Sequence, residues 1–142
     1  MEVNTPLIEA KALKKYFKLG ENRYLHAVDN INLQIYKGTT VGIVGESGCG
    51  KSTFGRTLLR LTEATSGEIL YCGENILTFG RQKMKQMRKN MQIIFQDPYA
   101  SVDPRKSVVE IIAEYMLIHH TYPTRREIFN RAAQLMDIVG LA

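Results

Sequence analysis

Residues 41–53 read Val41-Gly42-Ile43-Val44-Gly45-Glu46-Ser47-Gly48-Cys49-Gly50-Lys51-Ser52-Thr53. The uncharged run Val41-Gly42-Ile43-Val44 predicts a short buried strand. Beyond it, Phe54, Leu58 and Leu59 fall on one face of a helix expected over residues 51–60. Between the two, residues 45–52 match GxxxxGK[ST], the pattern of a phosphate-binding loop, in the strand–loop–helix setting that it requires. Phosphates carry several charges and need many donors at short range, which backbone amides curling over a helix start supply. Gly45, Gly48 and Gly50 keep side chains out of that approach, and Glu46, Ser47 and Cys49 complete the loop. Lys51 would reach the terminal phosphates, Ser52 would help hold magnesium between the outer two, and Thr53 adds a donor. A plain strand-to-helix turn would need the glycines but not Lys51 and Ser52 in register. Cys49 at a helix start invites a reading as a reactive thiol, yet inside such a loop it reads as a small tolerated side chain.

Upstream of the loop, residues 7–17 predict a first strand, the turn Leu19-Gly20-Glu21-Asn22 a reversal, and residues 27–36 a return strand in which Ile31, Leu33 and Ile35 alternate with polar neighbours. Downstream come the turn Thr65-Ser66-Gly67, a strand over residues 68–72, a turn at residues 73–75 and a basic helix over residues 81–89. Gln92-Ile93-Ile94-Phe95 reads as another short buried strand. Pro98 and Pro104 make residues 97–105 a loop. Ser107 with Glu110, and Thr124 with Glu127, have capping-box spacing, so each is expected to open a helix. The second helix is expected to run to about Val139, with Phe129, Ala132, Ala133, Met136 and Val139 as its apolar stripe and Gly140 as its cap.

At 142 residues, 44% apolar and 23% charged, the chain suits one globular domain or part of one. Its 19 Lys and Arg exceed its 14 Asp and Glu, a balance that suits nucleic acid, anionic lipid or a polyphosphate. Arg81, Lys83, Lys85, Arg88 and Lys89 concentrate that charge, in a run that reads as a solvated helix face. A nucleic-acid-binding module would interleave aromatics, and only Phe79 and methionines accompany the run. Cys49 and Cys72 have no paired spacing, which fits a reducing compartment and no zinc site. The pair His119-His120 lacks the companions of a metal site and reads as an exposed helix end. No stretch approaches the length of a signal peptide core or a membrane span, so any membrane role is expected to be peripheral.

A phosphate loop alone leaves kinases, GTPases, helicases and transport ATPases open. Ile94-Phe95-Gln96-Asp97-Pro98, a glutamine ending an apolar run before a proline loop, resembles the Q-loop of ABC ATPases. Residues 45–53 together with Phe95-Gln96-Asp97-Pro98-Tyr99-Ala100-Ser101-Val102-Asp103-Pro104-Arg105 look like the oligopeptide and dipeptide importer branch of that family. That branch commonly has Ser-Leu-Asn-Pro-Arg where this chain has Ser101-Val102-Asp103-Pro104-Arg105. Ala27-Val28-Asp29 and Thr65-Ser66-Gly67-Glu68 also look like the family, so the resemblance covers nearly the whole chain. An Asn-Lys-x-Asp motif, as GTPases carry, is absent from the sequence.

The resemblance implies an α/β P-loop NTPase fold of the ABC ATPase type. Residues 1–96 would form the β-subdomain and P-loop core up to the Q-loop, and residues 97–142 the Q-loop and the start of the helical subdomain, with the C-terminal half of the domain absent. It implies ATP and Mg2+ as cofactors, Gln96 near the magnesium and the attacking water, and Tyr16 stacked on adenine, with Phe17 as a rival. The partners implied are transmembrane permease subunits, met by the Q-loop region through Tyr99, Val102 and Arg105, and a second ATP-binding subunit, identical or paralogous. No nucleic acid and no direct contact with the peptide is expected, and the place implied is the cytoplasmic face of the cell membrane, peripherally. Nickel importers use similar subunits, so the solute stays open. Family members continue into a Leu-Ser-Gly-Gly-Gln type sequence, a Walker B aspartate, an adjacent glutamate that acts as general base and a switch histidine. None occurs in these residues, so the expectation is binding of MgATP without hydrolysis, by a piece of low stability with an open apolar edge. A non-catalytic nucleotide-binding remnant, another P-loop NTPase or kinase, and a basic nucleic-acid-binding module are the alternatives.

Overall fold

In the computed structural model, which describes residues 5–97 and 102–141, the expected reversal at residues 19–22 joins two long strands. These are β1 (Ile8–Gly20) and β2 (Arg23–Ile35), paired antiparallel. β3 (Ser66–Tyr71) adds to the other edge of β1, and the two-residue β4 (Glu74–Asn75) pairs with β3, giving the order β2-β1-β3-β4. β1 is interrupted where its register jumps from Ala10 to Leu13. There Ala12 adopts φ 45°, and its amide donates to Asn32 Oδ1 at 2.8 Å, replacing the lost ladder bond. β3 crosses this bulge at Gly67, where a Cβ would stand 2.5 Å from the Ala12 carbonyl oxygen and 2.7 Å from Leu13 Cα. Only glycine fits that crossing.

The chain divides into two compact units, Met1–Gln92 and Ile93–Ala142. The first packs Leu13, Ile69 and Ile76, all fully buried, with Val28, Phe54, Phe79 and Met84. Each such side chain contributes roughly 1.5–3 kcal/mol by leaving water. Helix α1 (Lys51–Leu58) buries Phe54, Thr57 and Leu58. Leu59, expected on that face, is only half-buried because the helix ends there. A 3-10 turn (Ile76–Thr78) follows β4, opened by Asn75, whose Oδ1 accepts from the Leu77 amide at 3.0 Å. The Arg60 guanidinium donates to the carbonyls of Ile76 (2.9 Å) and Phe79 (2.8 Å), fastening the end of α1 to that turn. Helix α2 (Arg81–Met87) then buries Met84.

Two expected strands are not formed. Residues 41–44 and 92–95 have no ladder partner among the described residues. Val44 is 96% exposed and Ile94 97% exposed, against the buried positions anticipated for both. The physical reason is that a strand is a pairing state: an apolar run acquires regular hydrogen bonds only when a neighbouring strand supplies the other half. Residues 41–44 instead border an open cleft of about 520 Å³, whose other walls include Ile31, Leu33 and Phe54.

In the second unit, α3 (Val108–His119) and α4 (Arg125–Ile138) pack through Ala113, Met116, Ile128 and Ala132. Of the two expected capping boxes the first is complete, and at the second the hydroxyl alone caps. Ser107 Oγ accepts from the Glu110 amide at 3.4 Å while the Glu110 carboxylate accepts from the Ser107 amide at 2.8 Å. Thr124 Oγ1 accepts from the Glu127 amide at 3.2 Å. After α4, the amides of Gly140 and Leu141 donate to the carbonyls of Asp137 (3.1 Å) and Met136 (2.9 Å), the bonding of a glycine-closed helix end. The stripe on α4 differs from expectation: Ala133 and Val139 are exposed, and Ile128 is buried in their place. The α3 face meets the side of α4 that carries Ile128, Phe129 and Ala132.

Candidate phosphate-binding site

The N-terminus of α1 differs from those of α3 and α4 in having no side-chain cap and no acidic residue in its first turn. The first amides of a helix have no intrahelical acceptor, and with the positive end of the helix dipole they favour an anion. Residues 45–50 curl in front of this end. The Lys51 ammonium lies inside the curl, donating to the carbonyls of Gly45 (2.8 Å) and Glu46 (2.6 Å), 3.6 Å from Cys49 Sγ. The same three donors could serve phosphate oxygens in exchange.

What fixes the loop is β2. Lys15 pairs with Val28 but Tyr16 with His26, so Ala27 is the extra residue of a bulge. Its carbonyl meets Gly50 so closely that a Cβ there would stand 2.1 Å from the oxygen, and Gly50 has φ +98°. A Cβ on Gly45 would meet Cys49 Sγ at 2.8 Å. The backbone therefore has the tight, side-chain-free form that a polyphosphate cradle needs. A cleft of about 320 Å³ opens along it, with Phe17, Leu25 and His26 on one side and residues 48–53 on the other. That volume falls within the range of small-molecule pockets.

Gly48, Cys49, Gly50, Lys51, Ser52 and Thr53 thus line one cleft, while Gly45, Glu46 and Ser47 form the turn in front of it. Ser52 is exposed at the helix start, where its hydroxyl is available to a magnesium ion carried by bound phosphates. Tyr16 is not in the cleft wall. Its ring stacks on His26, centroids 3.9 Å apart, and its hydroxyl donates to Asp29 Oδ1 at 2.5 Å. That bond raises the Tyr16 pKa and lowers that of Asp29, which also faces His26 Nδ1 at 3.5 Å and Lys14 Nζ at 3.9 Å. Phe17, the rival ring, points to the opposite side of β1 and does line the cleft, with the Lys15 ammonium 4.8 Å from its centroid. Sequence reasoning missed the bulge at Ala27 as the anchor of the loop.

Gln96 belongs to the second unit, exposed at a bend. Of the neighbouring residues, Pro98, Tyr99, Ala100 and Ser101 lie outside the described residues. Val102 is exposed, and Arg105 grips Asp103 through Nε (2.9 Å), Nη2 (2.8 Å) and its amide (3.0 Å), which holds the Asp103 carboxyl below the usual range. His120 ends α3 with a left-handed backbone, and the His119 ring lies 4.6 Å from that of Tyr115. Among the described residues no helix is long and apolar enough to cross a membrane.

The family model described as ABC transporter matches residues 28–142. The chain is 48% identical over 136 residues to the oligopeptide transport ATP-binding protein OppF of Bacillus subtilis (strain 168), covering 95% of this chain and 44% of that protein. It is 40% identical over 143 residues to the dipeptide transport ATP-binding protein DppF of Haemophilus influenzae, covering 97% of this chain and 43% of that one. It thus spans less than half the length of these relatives. Among solved structures, the dimeric structure of MJ0796, a bacterial ABC transporter cassette, superposes with a TM-score of 0.76 at 25% identity, over 95% of this chain and 58% of that one.

Proposed function

From the premise that the chain belongs to the ABC transporter family, we propose that its phosphate loop binds MgATP and that the whole protein uses this site to energise import of peptides or a related solute. The observation that carries the reading is the uncapped start of α1 facing the cleft, with Lys51 held in the loop by carbonyls that a nucleotide would replace as its partners.

In this reading the amides of residues 48–53 and Lys51 hold the phosphates and Ser52 holds magnesium, while Gln96 takes the part that its likeness to the Q-loop glutamine implies. The magnesium, when bound, neutralises charge on the outer phosphates. Phe17 is the ring best placed to carry the adenine, since it lines the phosphate cleft; Tyr16, with its hydroxyl on Asp29 and its ring on His26, backs the same hairpin. Among the described residues no carboxylate lines the cleft. A base that orients water is needed for turnover, so these 142 residues bind the nucleotide without hydrolysing it at an appreciable rate. Gln96 and the residues after it, including Val102 and Arg105, form the surface for a transmembrane permease. A second ATP-binding subunit completes the site, the peptide itself touches neither, and the protein works peripherally at the cytoplasmic face.

Calorimetry of MgATP binding to the wild-type chain and to Lys51→Ala, with phosphate release followed in parallel, tests this. Removing a charge-assisted donor predicts a loss of affinity of about ten- to a hundredfold. Binding unaffected by Lys51→Ala, or steady phosphate release by this chain, would overturn the assignment.

A further inference from the structure

Residues 81–96 contain no Asp or Glu. Within them Arg81, Lys85 and Arg88 follow one another at positions i, i+4 and i+7, and Lys89 lies beside them. Backbone bonds from Arg88 to Met84 (3.1 Å) and from Lys89 to Gln86 (3.1 Å) carry the right-handed course past the end of α2. All four side chains are exposed, and among the described residues none has a carboxylate partner. Arg88 reaches only a backbone oxygen, that of Arg60 at 3.4 Å. Lys83 differs: it is paired with Glu74 and lies 4.0 Å from the Phe79 centroid.

Water can solvate such a face, but four clustered cations with no carboxylate among them also attract an anionic surface. The apolar residue of α2, Met84, is buried, so the face offers no pocket for the anchor side chains on which protein interfaces rely. Phe79, the nearest aromatic, is buried under Lys83 and cannot stack on bases, as single-strand binding demands. A layer of anionic headgroups needs neither pocket nor ring, only clustered basic charge. We propose that Arg81, Lys85, Arg88 and Lys89 form a docking face for anionic phospholipid, independent of the nucleotide site.

The test is flotation of the whole chain with vesicles of phosphatidylcholine alone or mixed with phosphatidylglycerol, at low and high salt. Binding is expected only with phosphatidylglycerol and is lost at high salt, because exposed charges are screened beyond a Debye length. Lys85→Gln is expected to weaken it about fivefold, and replacing all four by Gln several hundredfold, at about a factor of five for each charge. Lys83→Gln, off the face and already paired, leaves it nearly unchanged, and Lys51→Ala has no effect. Equal binding to uncharged vesicles, or binding indifferent to salt and to the fourfold change, would assign the attachment to exposed apolar segments and overturn the proposal. Tighter binding to duplex DNA or RNA than to vesicles, lost in the same variants, would overturn the lipid assignment.

Discussion

β1 interleaves its apolar side chains with lysines while residues 41–44 are uncharged throughout, yet the first is paired on both edges and the second on neither. β1 finds β2 after a turn of two residues, and β3 closes its second edge, so Leu13 is fully buried. Residues 41–44 read as a strand buried on both faces, which is the pattern of parallel sheets, and parallel partners are distant in sequence. Apolar content announces a demand for burial. It does not supply the neighbour.

The largest expected effect comes from truncating the two regions in turn. Leu13→Ala should cost about 2–5 kcal/mol of stability, the usual penalty for a cavity in a packed core. Val44→Ala should stay within about 0.5 kcal/mol, as surface changes do. Urea unfolding of both variants checks this. A large loss for Val44→Ala would mean that residues 41–44 sit in a ladder in solution, and the contrast with β1 would vanish.

The next effect falls where the two regions touch. Residues 41–44 lead into the loop, and the loop is anchored to the sheet at Gly50 against Ala27. Gly50→Ala forces a Cβ onto that carbonyl and puts alanine in a left-handed conformation costing about 1–2 kcal/mol. We expect MgATP affinity to fall at least about tenfold, given that each 1.4 kcal/mol is a factor of ten. Gly55→Ala, inside α1 with open space around it, should leave affinity unchanged and raise stability by about 0.5–1 kcal/mol. Unaltered affinity in Gly50→Ala would show that the loop is held in place by something other than β2.

These contrasts also mark what the sequence could tell. The hairpin, β3, α1 and both capped helices are specified by neighbours a few residues apart: the turn at residues 19–22, the caps Ser107 and Thr124, and the 3.6-residue spacing. The loop pattern carried its own chemistry in Lys51 and Ser52. What failed depends on distance. Residues 41–44 and 92–95 needed partners that local pattern does not reveal. The choice between Tyr16 and Phe17 turned on phase, which three register shifts between Ala10 and Tyr16 disturb, so alternation alone could not say which ring faces the cleft. On α4, Ala133 and Val139 had suitable spacing but no surface of α3 to meet.

The helical unit stands at the other end of the contrast, since its helix ends are satisfied by residues within four positions. Glu110 accepts from the Ser107 hydroxyl at 2.7 Å and from its amide, and these bonds hold its carboxyl below the ordinary value of 4.5. A carboxyl whose folded pKa is depressed binds its proton more weakly folded than unfolded. Its contribution is therefore complete above the unfolded value and is lost as pH falls through the folded one. Exchange protection of the first amides of α3 should fall as pH is lowered below about 4.5. In Glu110→Gln it should start about two- to tenfold lower at neutral pH and lose that pH step. The hairpin amides of β1 report on unit one and should not follow Glu110. If they did, the two units would unfold as one, and the distinction between locally satisfied helices and partner-dependent strands would have to be redrawn.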